Sequence, residues 1–192
     1  VAGTYVEDAG SSHGSHCTGC AAGKYSTVVG SASETNCTEC MAGKYIDVAG
    51  SNSSVDCIDC VSGRYVETTG SDDAADCIGC AAGTYVDTPG SNQALDCIEC
   101  VAGKYVEVTG SDDASDCIEC VAGTYVESLG SFLESNCTEC AAGKYSTTVG
   151  STLEADCIDC VAGKYVDVDG SNSSTDCIEC IAGASCRASR RR

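Results

Sequence analysis

Large apolar residues are scarce in this sequence. Its 192 residues include no tryptophan and only one each of phenylalanine, methionine and proline. Val, Ile, Leu and Phe together supply 31 residues, which is below the roughly 20% under which a strongly charged chain is expected to be disordered. This excludes a conventional hydrophobic core, so another kind of cross-link has to hold the chain together.

Basic residues are also few, with 10 Lys and Arg against 29 Asp and Glu and a net charge of −19. Four of the ten lie in the last six positions, so residues 1–186 carry six basic groups and a net charge of −23. Such a surface repels nucleic acid and anionic lipid. No apolar run approaches the ~18 residues that would cross a bilayer. We therefore expect no nucleic-acid partner and no membrane insertion in this segment.

Cysteine is the residue type that compensates for these deficits. The chain has 19 cysteines, a density typical of disulfide scaffolds in secreted proteins. The sequence therefore predicts a secreted protein, extracellular or at the cell surface, whose bridges replace a large core.

A 20-residue repeat organises the whole sequence. In each repeat, positions 3 and 10 are Gly, position 5 is Tyr, position 11 is Ser, and positions 17 and 20 are Cys, with no insertion or deletion. We expect nine repeats: 1–20, 21–40, 41–60, 61–80, 81–100, 101–120, 121–140, 141–160 and 161–180. Residues 181–192 form a truncated terminal repeat and basic tail. The chain begins in mid-pattern, as expected of a processed product or part of a longer protein.

Turn chemistry predicts the local structure. Tyr105–Thr109 alternates and is rich in β-branched residues, which favours a short strand. Gly110 and Ser111 indicate a turn, and residues 111–116 are polar and loop-like. One repeat has too little apolar surface to fold alone, so neighbours must stack. The expected fold is small, disulfide-rich and mainly β or irregular: an elongated, solenoid-like rod of 20-residue repeats with little or no helix.

The cysteine pairs leave several arrangements open. In one hypothesis, the second Cys of each pair bonds to the first Cys of the next, Cys180 closes a loop with Cys186, and Cys17 stays unpaired within the chain. That scheme uses Cys20, Cys37, Cys40, Cys57, Cys60, Cys77, Cys80, Cys97, Cys100, Cys117, Cys120, Cys137, Cys140, Cys157, Cys160 and Cys177. A ladder joining Cys17 to Cys37 and Cys20 to Cys40 is an alternative. Zinc is less favoured, because nine C-x-x-C pairs cannot be divided into four-Cys sites.

One segment resembles a known family. Cys20-Ala21-Ala22-Gly23-Lys24-Tyr25, followed by Gly30-Ser31 and Cys37-x-x-Cys40, resembles the ephrin-receptor-like cysteine-rich repeat, and is similar to the first loop of TNF-receptor modules. The resemblance implies that the Cys opening the repeat bonds to the next Cys, as in Cys20–Cys37. The chain departs from the family in having Ala, Val, Met or Ile in place of the usual Pro. It also lacks alternation with other modules. Long uniform arrays of this repeat are typical of coat and flagellar-hair proteins of protists and algae.

Four Asn-x-Ser/Thr sequons predict N-linked glycans. Asn52 and Asn172 follow the Gly-Ser turn, whereas Asn36 and Asn136 precede a Cys. A structural role is expected for the tyrosines, which give each repeat its largest buried side chain: Tyr25, Tyr45, Tyr65, Tyr85, Tyr105, Tyr125, Tyr145 and Tyr165. A ligand-binding aromatic row is the alternative.

No cofactor is expected, although the acidic residues beside the cysteines make calcium an alternative to solvated charge. No nucleophile–base constellation is visible around His13 and His16, so we expect no enzyme and no catalytic residues. The tail Arg187, Arg190, Arg191 and Arg192 is interpreted as a processing site, an electrostatic contact with another subunit, or a simple boundary.

The uniform repeat favours an extracellular structural protein that self-associates, forming a rod or filament of a coat, stalk or flagellar hair. A receptor or adhesin ectodomain that binds a protein or glycan is the alternative. A dedicated site for it would appear as an exception in one repeat, and the candidates are Phe132-Leu133 and Pro89.

Overall fold

Each repeat forms one two-stranded antiparallel hairpin and one short 3-10 turn in the computed structural model, which describes residues 1–181. The paired strands are Thr4–Tyr5 with Thr18–Gly19, Lys24–Tyr25 with Thr38–Glu39, Lys44–Tyr45 with Ile58–Asp59, Arg64–Tyr65 with Ile78–Gly79, Thr84–Tyr85 with Ile98–Glu99, Lys104–Tyr105 with Ile118–Glu119, Thr124–Tyr125 with Thr138–Glu139, Lys144–Tyr145 with Ile158–Asp159, and Lys164–Tyr165 with Ile178–Glu179. The 3-10 turns are Gly14–His16, Glu34–Asn36, Ser54–Asp56, Ala74–Asp76, Ala94–Asp96, Ala114–Asp116, Glu134–Asn136, Glu154–Asp156 and Ser174–Asp176. The chain is thus a small disulfide-rich protein of mainly β and irregular structure.

The strand expected over Tyr105–Thr109 is shorter than predicted and starts one residue earlier. Only Lys104 and Tyr105 are in strand conformation, paired with Glu119 and Ile118 respectively. The backbone N–H of Val106 instead donates to Ser131 O in the next repeat, at 3.1 Å. The hairpin ends after the tyrosine because the chain there begins to pair with its neighbour.

The polar segment between turn and cysteine folds into a 3-10 turn fixed by a carboxylate. In the fifth repeat, Asp96 Oδ2 accepts hydrogen bonds from the backbone N–H groups of Asn92 and Gln93, at 2.9 and 3.0 Å. An acidic side chain that satisfies backbone donors at the start of a helical turn is a standard capping arrangement. The loop-like composition of this segment therefore encodes a defined turn.

Backbone hydrogen bonds connect each repeat to the next and to the next but one. Gly43 N donates to Val66 O at 2.8 Å, and Ile46 N donates to Ser71 O at 3.1 Å, both in the following repeat. Gly70 N donates to Cys40 O at 2.8 Å, which spans two repeat boundaries. The same three bonds recur along the array, so a repeat is held by neighbours on both sides.

The chain divides into two compact units. The first comprises Val1–Ala81, Tyr85–Ile98 and Thr109–Asp113, and the second comprises Ala82–Thr84, Glu99–Val108 and the residues from Ala114 onward. Within each unit the repeats use the hydrogen bonds just described. In the second, for example, Gly103 N donates to Val126 O at 2.9 Å.

Small clusters of buried residues form around the disulfides. Cys40, Ile46 and Cys57 form one, against which Tyr25 packs, and Cys60, Val66 and Cys77 form another, against which Tyr45 packs. In each case the tyrosine belongs to the same repeat as the first cysteine of the cluster, and the other two members belong to the next repeat. Because apolar residues are few, the disulfide itself provides a large part of the buried surface.

Candidate functional site

Eight disulfides join the second Cys of one pair to the first Cys of the next. They are Cys20–Cys37, Cys40–Cys57, Cys60–Cys77, Cys80–Cys97, Cys100–Cys117, Cys120–Cys137, Cys140–Cys157 and Cys160–Cys177. The two cysteines of each bridge are 17 positions apart in the sequence. The structure thus contains the first of the two connectivities considered above, and the ladder pairs do not occur in residues 1–181.

The two remaining cysteine predictions concern the chain ends. Cys17 is a free, exposed thiol. Cys180 is disulfide-bonded, and Cys186, its expected partner, lies outside the described residues. The arginine tail also lies outside them.

The tyrosines are partly buried and tied into the backbone framework. Tyr105 pairs with Ile118 in its hairpin and forms a parallel bridge with Ser131 of the next repeat. Desolvation, with smaller contributions from Glu134 and Glu107, raises the pKa of the Tyr105 phenol. Desolvation likewise raises the pKa of Tyr5. Both shifts favour the protonated phenol.

The acidic side chains are spread along the array instead of being gathered. Within residues 1–181, no group of three or more His, Cys, Asp or Glu is placed to hold a metal ion. Several carboxylates have neighbours of their own, as in the exposed ion pair of Lys104 Nζ and Glu119 Oε1 at 3.6 Å. Other carboxylates cap turns. These carboxylates therefore act locally, as members of ion pairs and as caps.

The two histidines lie together on an exposed loop of the first repeat. Their ring centroids are 6.0 Å apart, and Ser12 Oγ lies 2.9 Å from His13 Nδ1. Among the described residues, no hydrogen bond joins a carboxylate to either imidazole. This serine–histidine contact therefore lacks the third group that would orient a catalytic base.

The four sequon asparagines occupy two different sites. Asn52 and Asn172 are exposed at position 12, immediately after the buried serine of the Gly-Ser turn. Asn36 and Asn136 stand at position 16, where most other repeats have the capping aspartate. The asparagine side chain at position 16 therefore has a structural role in the turn, whereas the asparagine side chain at position 12 is exposed and has none.

A recurring set of exposed aliphatic residues was not identified from the sequence. Position 18 carries an isoleucine that is about half exposed, as in Ile98 at 48% and Ile118 at 53%. We define the exposed aliphatic set as Ile58, Ile78, Ile98, Ile118, Ile158 and Ile178 at position 18, with Val61, Val101, Val121 and Val161 at position 1. The 20-residue period shows that these aliphatic positions recur. It does not show that they are exposed, because apolar residues in stacked repeats are expected to be buried between neighbours.

The grooves of the surface also repeat. One of about 360 Å³ is lined by residues 86–92 with Asp96 and Ile98, and equivalent grooves occur in the fourth and ninth repeats. Pro89 lines the first of these. Phe132 and Leu133 are 50% and 42% exposed.

The comparisons with known proteins identify the type of repeat. Residues 30–77 and 68–117, together somewhat under half of the chain, match the family model described as tyrosine-protein kinase ephrin type A/B receptor-like. That family consists of non-catalytic cysteine-rich repeats. A comparison with curated proteins finds no match. None of the helical segments in residues 1–181 has the length and apolarity to cross a membrane. The chain is a cysteine-rich tandem-repeat protein, and its bridges and family match indicate an extracellular disulfide-rich array.

Proposed function

We propose that the chain is a segment of an extracellular structural protein, a disulfide-stapled rod or filament of a cell-surface coat, stalk or flagellar hair. In this proposal residues 1–180 act as nine equivalent modules, and the partner of each module is another copy of the array. The observation that carries it is the exposed aliphatic set, which leaves an apolar side chain accessible at one or both of its two positions in each of repeats three to nine.

Repetition is what makes these weak contacts useful. A single half-exposed isoleucine contributes little to the free energy of association. On two matching arrays, however, equally spaced contacts form together once the first contact is made, because the later contacts are then intramolecular. The net charge of −19 opposes indiscriminate association of such surfaces. Association is therefore expected only where apolar positions align.

Negative-stain electron microscopy of the native, unreduced protein tests the proposal. We expect filaments or bundles with a regular axial repeat. Dispersed single particles at every concentration would contradict self-association.

A pair of matched variants connects the filaments to the exposed aliphatic set. The double substitution Ile98→Glu and Ile118→Glu should abolish filaments, because charge would be placed in the apolar contact. The control is Ile98→Thr with Ile118→Thr, which keeps the fold because Thr18, Thr38 and Thr138 occupy the same position. Both variants should retain the far-UV circular dichroism of the parent. Filaments that persist in the glutamate variant would exclude this set as the contact.

A receptor or adhesin ectodomain is the second candidate, and the exposure of Phe132 favours it. Phe132 stands at position 12, where other repeats carry a small or polar residue. A protein or glycan ligand bound by the parent but not by Phe132→Asp would support this function. Binding that is unaffected by the substitution would remove the residue from consideration.

A further inference from the structure

The four sequons are not equivalent once the fold is known. We propose that Asn52 and Asn172 carry N-linked glycans and that Asn36 and Asn136 do not. The proposal rests on the extracellular part of the proposed function, since N-glycans are added in the secretory pathway. It divides the four Asn-x-Ser/Thr sequons by the contacts that each asparagine makes in the folded repeat.

The position-12 asparagines present their side chains to solvent. Asn52 is exposed, and the turn that carries it is fixed through the backbone, because Asn52 N donates to Asp56 Oδ2 at 3.1 Å. None of the hydrogen bonds described for residues 1–181 involves the side-chain amide of Asn52 or of Asn172. The third residues of these sequons, Ser54 and Ser174, are exposed as well. A large substituent on either amide would project into solvent without displacing a contact.

The position-16 asparagines are part of the turn itself. Asn136 Oδ1 accepts hydrogen bonds from Phe132 N at 3.2 Å and Leu133 N at 3.0 Å, in the manner of the capping aspartates. Asn36 Nδ2, the atom to which a sugar would be attached, donates to Ser31 Oγ at 2.9 Å. Ser31 is buried. Asn36 is itself exposed, but a glycan on it would have to grow from the nitrogen that is already bonded to the hydroxyl of this buried serine.

The middle residue of each position-16 sequon adds a second obstacle. Cys37 bonds to Cys20, and Cys137 bonds to Cys120. Once the bridge closes, the residue beside the asparagine is fixed, and the sequon cannot take up another conformation in a transferase site. At position 12 the middle residues are Ser53 and Ser173, which form no covalent link.

The transfer itself is a single substitution at the first carbon of the donor sugar. The donor is a polyprenyl-diphosphate-linked oligosaccharide, supplied with its transferase by the secretory pathway. The asparagine Nδ2 forms a bond to C1, the C1–O bond to the diphosphate breaks with its electron pair, and the amide proton leaves to a base. No oxidant or reductant is required. The chain has only to present an accessible amide and the hydroxyl two residues later.

Loss-of-site variants of the full chain, secreted from a eukaryotic host, test the assignment by intact mass and N-glycosidase treatment. Asn52→Gln and Asn172→Gln should each remove one glycan. Asn36→Asp and Asn136→Asp should remove none. Asn136→Asp is conservative, because Asp56, Asp96 and Asp156 perform the same capping role in other repeats. Asn36→Asp gives up the bond that Asn36 Nδ2 donates to Ser31 Oγ, so its fold is checked by far-UV circular dichroism.

A gain-of-site variant tests whether position 12 is sufficient. Asn92 is exposed at that position, but Ala94 stands where the sequon needs a hydroxyl. Ala94→Ser completes an Asn-x-Ser sequon and introduces the residue that Ser54 and Ser174 provide natively. We expect one additional glycan on this variant, at Asn92.

The outcomes separate this proposal from the one on which it depends. Secreted, disulfide-bonded protein without sugar on Asn52 and Asn172, or with sugar on Asn36 or Asn136, would overturn the assignment and leave the extracellular function intact. Protein that stays in the cytosol with reduced cysteines would contradict the extracellular function, and the glycan assignment with it.

Discussion

At the scale of single residues, the glycine at position 3 shows how closely the repeats approach. Gly63 has φ +81°, and a Cβ built on it would lie 2.2 Å from Gly110 O. Gly110 belongs to the repeat after next. A side chain is therefore excluded here both by backbone conformation and by contact with another backbone segment.

The substitution Gly63→Ala should destabilise the array strongly, because the two backbone segments would have to separate. Gly30→Ala is the matched control, since Gly30 also has a positive φ, +73°, but a Cβ there would meet nothing within 4 Å. A left-handed alanine alone costs roughly 1–2 kcal/mol. Denaturant unfolding should show a cost near this value for Gly30→Ala and a clearly larger one for Gly63→Ala. Equal costs would mean that the close approach contributes nothing.

At the scale of elements, a hydroxyl–carboxylate contact joins a strand to a bend 30 residues later in the sequence. Thr69 Oγ1 donates to Glu39 Oε2 at 2.6 Å, and Lys24 Nζ lies 3.7 Å from Glu39 Oε1. The Thr69 hydrogen bond, followed by the Lys24 charge, lowers the pKa of the Glu39 carboxyl. The ionised glutamate therefore contributes stability above its unfolded-state pKa, and this stability is lost as the pH falls through the folded-state pKa.

Thr69→Val should raise the pKa of Glu39 toward its ordinary value and reduce acid sensitivity in this part of the chain. The stability difference between parent and variant is expected in full above about pH 4.3, the ordinary glutamate value, and should shrink as the pH falls through the folded-state pKa of Glu39. Thr109→Val is the control, because the residue 30 positions before Thr109 is Gly79, which has no carboxylate. NMR titration of Glu39 measures the shift. An unchanged pKa in Thr69→Val would remove this contact as its cause.

The elements also show how far the sequence alone could lead. The 20-residue period and the density of cysteine are enough to predict short strands, turns and disulfides. They could not place the second strand, Ile118–Glu119, because two residues between cysteines carry no periodicity. The exposure of Ile118 could not be predicted either, because an isoleucine in a chain with so few apolar residues is expected to be buried.

At the scale of the whole molecule, the contacts between repeats were beyond sequence reasoning for a different reason. When every repeat has the same pattern, a residue that suits its neighbour suits the next repeat equally well. The bond from Gly70 N to Cys40 O, at 2.8 Å, crosses two repeat boundaries, yet nothing in the sequence distinguishes it from a contact with the adjacent repeat. Only the three-dimensional arrangement determines the choice.

Because these hydrogen bonds connect repeats that are not adjacent in sequence, the loss of stability caused by altering one repeat should extend to the repeats bonded to it. Replacing Cys40 and Cys57 by Ala removes one bridge, worth about 3 kcal/mol for a loop near this length, and loosens the carbonyl that accepts from Gly70. Exchange of the Gly70 amide should therefore accelerate by about a hundredfold, since each 1.4 kcal/mol is a factor of ten. The Gly110 amide donates to Cys80 O at 2.8 Å and has no bond to the altered repeat, so its exchange should not change. If Gly70 were unaffected, the repeats would be independent, and if Gly110 accelerated equally, the array would open as one. An array whose repeats contact the next repeat and the one after it predicts the graded result, because its stability is a sum of repeat terms and short-range interface terms.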